Sequence, residues 1–363
     1  STPIKSSAAS DVYKRQEYQD INWLIENIDV QNFDNSKILI TGASGAIARY
    51  LVYFFMELQT KHDIECEVHA LVRNSEKAEK IFRNWFHESH FYLHIGNIED
   101  NCALAKGMTY IFHAAGISAT NMFDLCPVDV IKVNVMGTEE LLSASIENQQ
   151  LKKMVFFSSG AVYGEAPNVT ETVNEDVYYP LNPFGTAGCY AEGKRMGEVL
   201  CYSYWKQYRI PTAMVRIGHS YGPGINLQSG HVYSDFIRAL IEGNDITIKH
   251  PDVLRPFTYV RDTIYGILIV ALKAKEGQAY NLWNVKGEIP IGKLADVLCY
   301  KVFKEKNLKV YFDNKEYFYH DKYNETMIAS RNDTKKIEEL GWKACVDIEH
   351  GFRRTVQSFE NQQ

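Results

Sequence analysis

Apolar residues along this chain follow two alternating patterns: short runs rich in β-branched residues, and longer stretches in which they recur every three or four positions. The first long stretch, Ile21, Leu24, Ile25 and Ile28, predicts a helix over residues 17–30. Lys37-Ile-Leu-Ile40 predicts a buried strand, a glycine turn follows, and Ala46 to Leu58 resume helical spacing. Further strand-like runs lie at Glu67–Val72, Phe91–Ile95, Tyr110–His113, Met154–Phe157 and Ala213–Arg216, and residues 186–208 read as one long helix. Such alternation predicts an α/β fold built on a doubly wound, mostly parallel sheet. The first 16 residues, rich in Ser, Ala, Lys and Arg, have no sustained apolar period and are set apart as a disordered tail.

The turn after the first strand carries a chemical signal. Thr41-Gly-Ala-Ser-Gly-Ala-Ile-Ala48 removes side chains at Gly42 and Gly45, and the helix beyond aims its N-terminus and free N–H groups at the turn. A dinucleotide pyrophosphate suits that position, with Gly42, Ser44, Gly45, Ala46 and Ile47 around it and small Ala48 letting helix and strand pack closely. A purely structural turn is the alternative. The residues after the second strand bear on which nicotinamide cofactor binds, because an acidic side chain there holds the ribose 2′-hydroxyl of NAD. Here Val72 is followed by Arg73, Asn74, Ser75 and Lys77. That favours the 2′-phosphate of NADP, unless Arg73 is only a solvated loop charge.

Reaction chemistry is carried by Met154-Val-Phe-Phe-Ser-Ser-Gly-Ala-Val-Tyr-Gly164 and by Tyr190-Ala-Glu-Gly-Lys194. The first segment delivers Ser158 and Ser159 to the polar end of an apolar strand, the edge where ligands bind in open α/β sheets. In the second, Tyr190 and Lys194 are four apart, one turn of a helix, so the ammonium can favour the phenolate. Together with an oxidised nicotinamide, Lys194 is expected to lower the Tyr190 pKa by ~2–3, about 3–4 kcal/mol, making it the acid and base for an alcohol being oxidised. Ser159 would orient the reacting oxygen.

These segments resemble the extended short-chain dehydrogenase/reductases that act on nucleotide sugars, the epimerases, decarboxylases and 4,6-dehydratases, over roughly residues 36–290. The resemblance implies a Rossmann-type cofactor domain (36–175, 186–221 and 258–284) after an extra N-terminal helix (17–35). It implies a smaller, discontinuous nucleotide-sugar lobe from 176–185, 222–257 and 285–363. It assigns Asn97 and Ile98 to the adenine, Ala114, Ala115 and Gly116 to the cofactor's phosphates and ribose, and Lys194 to the nicotinamide ribose beside its effect on Tyr190. Asn134 matches a family asparagine, with a structural role as the alternative. Ser158, Gly160, His219 and Arg255 fall at substrate positions, Arg255 as a clamp on the diphosphate within Arg255-Pro-Phe-Thr-Tyr-Val-Arg-Asp262 and His219 within Arg216-Ile-Gly-His-Ser-Tyr-Gly-Pro-Gly224. His219 stands where the family carries Asn, either as a titratable group or as a hydrogen-bonded structural one.

Departures narrow the reaction. Gly160 and Ala161 occupy positions where a 4,6-dehydratase carries Asp-Glu and a decarboxylase carries Glu. The expected activity is therefore a nucleoside-diphosphate-sugar 4-epimerase using NADP or NAD, ahead of an NADPH-dependent 4-keto-sugar reductase, a uronate decarboxylase, and a cofactor-binding protein without turnover. A homodimer is expected by resemblance. Cys126, Cys189 and His231 are further acid/base candidates, or packed thiols and a loop imidazole.

Composition adds exclusions. A net charge of −6 over 363 residues, with no Lys/Arg run, disfavours nucleic acid. Seven scattered cysteines without ligand spacing suggest free thiols, no metal site and a reducing compartment. No run of 18 apolar residues suggests a membrane span, and the cytoplasm is the expected setting.

Overall fold

The described chain begins with α1 (Arg15–Asn27) and then alternates: β1 (Ser36–Thr41), α2 (Ala48–His62), β2 (Cys66–Val72), α3 (Ser75–Phe82), β3 (Phe91–Ile95), β4 (Tyr110–His113), α4 (Pro127–Ala144), β5 (Lys153–Ser159), α5 (Gly188–Tyr208) and β6 (Thr212–Ile217). Beyond β6 come β7 (His219–Tyr221), α6 (Val232–Glu242), β8 (Ile246–Thr247), β9 (Leu254–Tyr259), α7 (Val260–Lys273), β10 (Gln278–Leu282), β11 (Glu288–Pro290), β12 (Val310–Phe312), β13 (Lys315–Glu316) and α8 (Ile348–Glu360). The computed structural model describes residues 15–164, 172–319 and 333–360; most of the tail expected over 1–16 lies outside them.

Seven parallel strands form the central sheet in the order β10-β6-β5-β4-β1-β2-β3. Strand direction reverses its spatial progression between β1 and β4, so a crevice opens where their C-terminal ends part. The sheet is Rossmann-like, and the buried apolar runs of β1, β4 and β5 are those of strands covered on both faces. One face packs α2 through residues such as Leu51, Phe54 and Phe55, and the other packs α4 through Leu141 and Leu142. β10 joins the sheet although its sequence, Gln-Ala-Tyr-Asn-Leu, gives little strand pattern; backbone pairing with β6 places it.

Two small sheets stand apart, β11-β9-β7 and β13-β12-β8. The first draws strands from both expected lobes. His219–Tyr221 and Thr258–Tyr259, assigned from sequence to the cofactor domain, pair with one another as strands of this second sheet. The cause is a break at Gly218, whose N–H is taken by Leu282 O while the chain turns out of the central sheet.

A correction concerns the start. The N-terminal helix covers 15–27, not 17–30, and the 17–35 segment ends in a separate turn at Val30–Phe33. Gln16, set aside as tail, is buried and its carbonyl accepts from Arg354. α1 packs against α2, α7 and α8. Inside that contact the Asp20 carboxylate accepts from Tyr259 Oη and Arg354 Nη2, both at 2.8 Å, while Glu17 faces Arg49 at 3.4 Å. Arg49 in turn donates to the Pro223 carbonyl, linking the first turn of α2 to the Tyr221–Gly224 turn.

Candidate active site

The glycine turn is built by close approach. Gly42 sits at φ +64°, and a Cβ there would lie 2.8 Å from Ala115 Cα, so only glycine fits both the backbone angle and the neighbouring strand end. Helix α2 starts at Ala48, two residues later than its apolar period predicted, because residues 42–47 are the turn itself. The amides of Ser44, Ala46 and Ile47 make no hydrogen bond among the described residues, and no side chain caps the helix. Open donors at a helix N-terminus are an anion cradle, so the residues present fit a dinucleotide pyrophosphate.

Sequence reasoning missed what fixes this cradle to the sheet. The Ala115 N–H donates to Thr41 Oγ1 (3.1 Å), Thr41 meets His113 Nδ1 (2.8 Å), His113 Nε2 meets Thr138 Oγ1 (2.9 Å), and Thr138 donates to the Asn134 carbonyl (2.7 Å). Since Thr138 spends its proton on Asn134, it accepts from His113, which assigns the proton to Nε2 and leaves Nδ1 to accept from Thr41. Burial holds His113 near 3, so this neutral chain persists through physiological pH.

Around the crevice, Ala114 and Ala115 directly follow β4 and Gly116 is exposed beside them. A Cβ on Gly116 would lie 3.0 Å from Asn134 Oδ1 and 3.1 Å from Lys194 Nζ, so the backbone passes directly against both groups. Asn134 Oδ1 is buried and has no hydrogen-bond partner among the described residues. Arg73 is exposed at the tip of β2, and Asn74 beside it caps α3 by accepting from the Lys77 amide at 2.8 Å. That side chain is thus engaged in the helix cap. Asn97 is exposed after β3, but the Ile98 side chain is buried against Gly137 and offers a base only its main chain.

Ser159 ends β5, with its Oγ accepting from the Ala161 amide at 3.2 Å, and Gly160 lies over Trp283. Tyr190 is half-buried on α5 and stacks on Phe123, ring centroids 5.0 Å apart. The Ser159 hydroxyl beside the phenol favours its ionised form, but burial outweighs this and raises the Tyr190 pKa. Lys194 is 4% exposed, and its ammonium donates to the Phe157 carbonyl at 2.7 Å. Burial drops Lys194 to about 7. The expected depression of Tyr190 by Lys194 is therefore absent from the protein's own groups, because the ammonium is turned to β5 and carries its own desolvation cost.

Ser158 is a clear correction. Adjacent strand residues point to opposite faces, and Ser158 faces away from Ser159, donating to Glu198 Oε1 at 2.5 Å inside the core. It cannot touch a substrate from there. His219 and Arg255 lie on paired strands, His219 opposite Phe257, two residues along β9 from the exposed Arg255. Burial first, then the charge of Arg255, hold the His219 imidazole near 3. His219 is thus a neutral group, not a titrating one, at neutral pH. His231 stacks on Tyr233 at 5.2 Å, and Tyr233 in turn senses Tyr190. Cys126 and Cys189 direct their sulfurs at the Met122 and Phe123 carbonyls, as packed thiols do.

Serine, tyrosine and lysine at the C-terminal edge of a doubly wound sheet, beside an open phosphate cradle, form the geometry of a nicotinamide-dependent alcohol chemistry. Residues 38–285 match the NAD dependent epimerase/dehydratase family. The chain belongs to that family. This makes it an NAD-dependent enzyme of the extended short-chain dehydrogenase type, whose relatives include epimerases, dehydratases and decarboxylases of nucleotide sugars. It is 25% identical over 326 residues to UDP-glucuronic acid decarboxylase 6 of Arabidopsis thaliana, covering 90% of this chain and 89% of that protein. It is 26% identical over 332 residues to human dTDP-D-glucose 4,6-dehydratase, covering 88% and 89%. The crystal structure of UDP-glucuronic acid 4-epimerase from Bacillus cereus, in complex with UDP-glucuronic acid and NAD, superposes with a TM-score of 0.71 at 22% identity, covering 90% of this chain and all of that one. Among the described residues no helix is long and apolar enough to cross a membrane.

Proposed function

We propose that this family member is a nucleoside-diphosphate-sugar 4-epimerase, working by removal and return of hydride at C4. The observation that carries the reading is the pairing of an intact Ser159, Tyr190 and Lys194 with small, uncharged Gly160 and Ala161, where water expulsion or decarboxylation would call for carboxylates. When bound, the nicotinamide supplies a hydride acceptor that becomes the donor for the return. Tyr190 takes the C4 hydroxyl proton and gives it back. Ser159 orients the C4 oxygen toward that phenol, and Lys194, against Gly116, would hold the nicotinamide ribose. The Gly42–Ile47 turn would hold the cofactor pyrophosphate, and Arg255 beside neutral His219 the substrate diphosphate.

Exposed Arg73 supports a second reading, an NADPH-dependent reductase of 4-keto-sugar nucleotides. The apolar face shared by α4 and α5, with Val128 60% and Val199 51% exposed and a groove of about 730 Å³ between the helices, supports a homodimer joined there.

Two measurements test these readings. Nicotinamide released from the denatured protein, if stoichiometric NAD⁺, supports the self-recycling epimerase; a protein that arrives empty and prefers NADPH supports the reductase. Replacing Tyr190 with Phe should abolish turnover of every UDP-sugar tried, and full activity in that variant would remove Tyr190 from the chemistry.

A further inference from the structure

The groups that touch no substrate but fix those that do lie one layer below the site. We infer that Glu198, Ser158 and Arg216 form a positioning clamp that sets the register between the catalytic tip of β5 and the catalytic face of α5. Glu198 follows Lys194 by four residues and Tyr190 by eight, so all three lie along one side of α5. Its carboxylate receives Ser158 Oγ at 2.5 Å, Arg216 Nε at 2.9 Å and Arg216 Nη2 at 2.8 Å. Ser158 directly precedes Ser159, and Ser158 and Arg216 are partners across the β5–β6 pair. One carboxylate therefore ties β5, β6 and α5 together at the edge where the chemistry sits.

The clamp extends outward. Arg216 Nη1 donates to Tyr163 Oη at 2.8 Å and to the Glu175 carbonyl at 3.0 Å, and the Tyr163 hydroxyl donates to Asn281 Oδ1 on β10 at 2.6 Å. Every heteroatom of the guanidinium is engaged, as a buried charge requires. Such a unit could be only a stability device, but its position gives it a further effect. Reaction depends on the Ser159 and Tyr190 hydroxyls meeting on one substrate oxygen, and a displacement of about 1 Å is worth on the order of 10²-fold in rate. Glu198 also faces Lys194 with negative charge, alongside Cys201 from the same helix, while His113 faces it from β4 and Phe157 offers its carbonyl from β5. Of these, Glu198 is the group charged at neutral pH and it favours the ammonium; the Cys201 thiol, raised by burial, and the imidazole of His113, lowered by burial, are both uncharged there.

This inference rests on Ser159, Tyr190 and Lys194 being the reacting groups, and its test separates the two. Consumption of UDP-galactose and UDP-glucuronate by the full-length enzyme with NAD⁺ is followed by chromatography for wild type, Ser158→Ala, Ser158→Thr, Glu198→Gln and Tyr190→Phe. Ser158→Ala should lower kcat about tenfold with KM within about twofold, and Ser158→Thr, which restores the hydroxyl, should recover most of the rate. Glu198→Gln should move the alkaline limb of the rate profile, where Lys194 loses its proton, to lower pH by about one. If Glu198→Gln does not fold, the two serine variants still decide. A silent Tyr190→Phe beside a Ser158→Ala enzyme of wild-type kcat overturns the clamp and leaves the catalytic assignment standing. Activity in Tyr190→Phe overturns the assignment itself, and no consumption of either sugar nucleotide by the wild type overturns the 4-epimerase reading.

Discussion

Replacing Lys194 with methionine should stabilise the fold while ending its chemistry. The lysine is 4% exposed, and burial lowers its pKa from 10.5 to about 7. For a base whose folded value is depressed, the unfolded chain holds the proton across that window, so stability present above 10.5 is lost as pH falls toward 7. The loss amounts to about 4 kcal/mol at pH 7 and about 2 kcal/mol at pH 9. Methionine keeps the apolar stem but gives up the donor to the Phe157 carbonyl, which costs about 1–3 kcal/mol for an acceptor left unpaired. The balance at pH 7 favours the variant by about 1–3 kcal/mol, and by pH 9 the advantage should fall by about 2 kcal/mol. Denaturant titrations of both proteins at the two pH values measure this directly, with UDP-sugar turnover assayed in parallel. A variant less stable than wild type at pH 7, or a difference that does not change with pH, would refute the claim that Lys194 is held at the expense of the fold.

Gly42→Ala should weaken NAD⁺ binding by tenfold or more in calorimetry, because the methyl meets Ala115 at 2.8 Å and adds about 1–2 kcal/mol of backbone strain. Gly243→Ala is the control, having φ +71° but nothing within 4 Å, and should cost strain alone. Asp20 is raised from 3.8 to about 6 chiefly by burial, so its contribution to stability is full below 3.8 and lost as pH rises through 6. Asp20→Asn should remove that dependence, and the wild type should gain about 2 kcal/mol on the variant between pH 7 and pH 4 in denaturant titrations; a constant difference would contradict it.

The sheet was legible because its central strands β1, β4 and β5 are buried on both faces and so are written as continuous apolar runs, while the Gly42 turn is forced by sterics that leave a mark in sequence. Tyr190 and Lys194 were legible from helical spacing. The same rule carried one turn further reaches Glu198, and strand alternation would have turned Ser158 away from Ser159; both signals were present and local. Other features were not local. That Lys194 spends its proton on Phe157, that His113 bridges two threonines from different elements, and that Gly218 diverts the chain into a second sheet all depend on what tertiary packing brings alongside. β10 lacks a strand pattern because its place is set by the edge β6 offers.

The contact between α1 and α8 joins Asp20 to Arg354 across 334 residues of chain. During synthesis the cofactor half emerges before α8, so Asp20 of α1 is made well ahead of its partner Arg354. The nucleotide cradle's own brace, Glu17 against Arg49, belongs to the same helix and is seated only when α1 docks. Full docking of α1 thus waits for the chain to reach α8, so a polypeptide stalled or cut before α8 would present an unsealed α1 to the cell's quality-control proteases however well its sheet had formed.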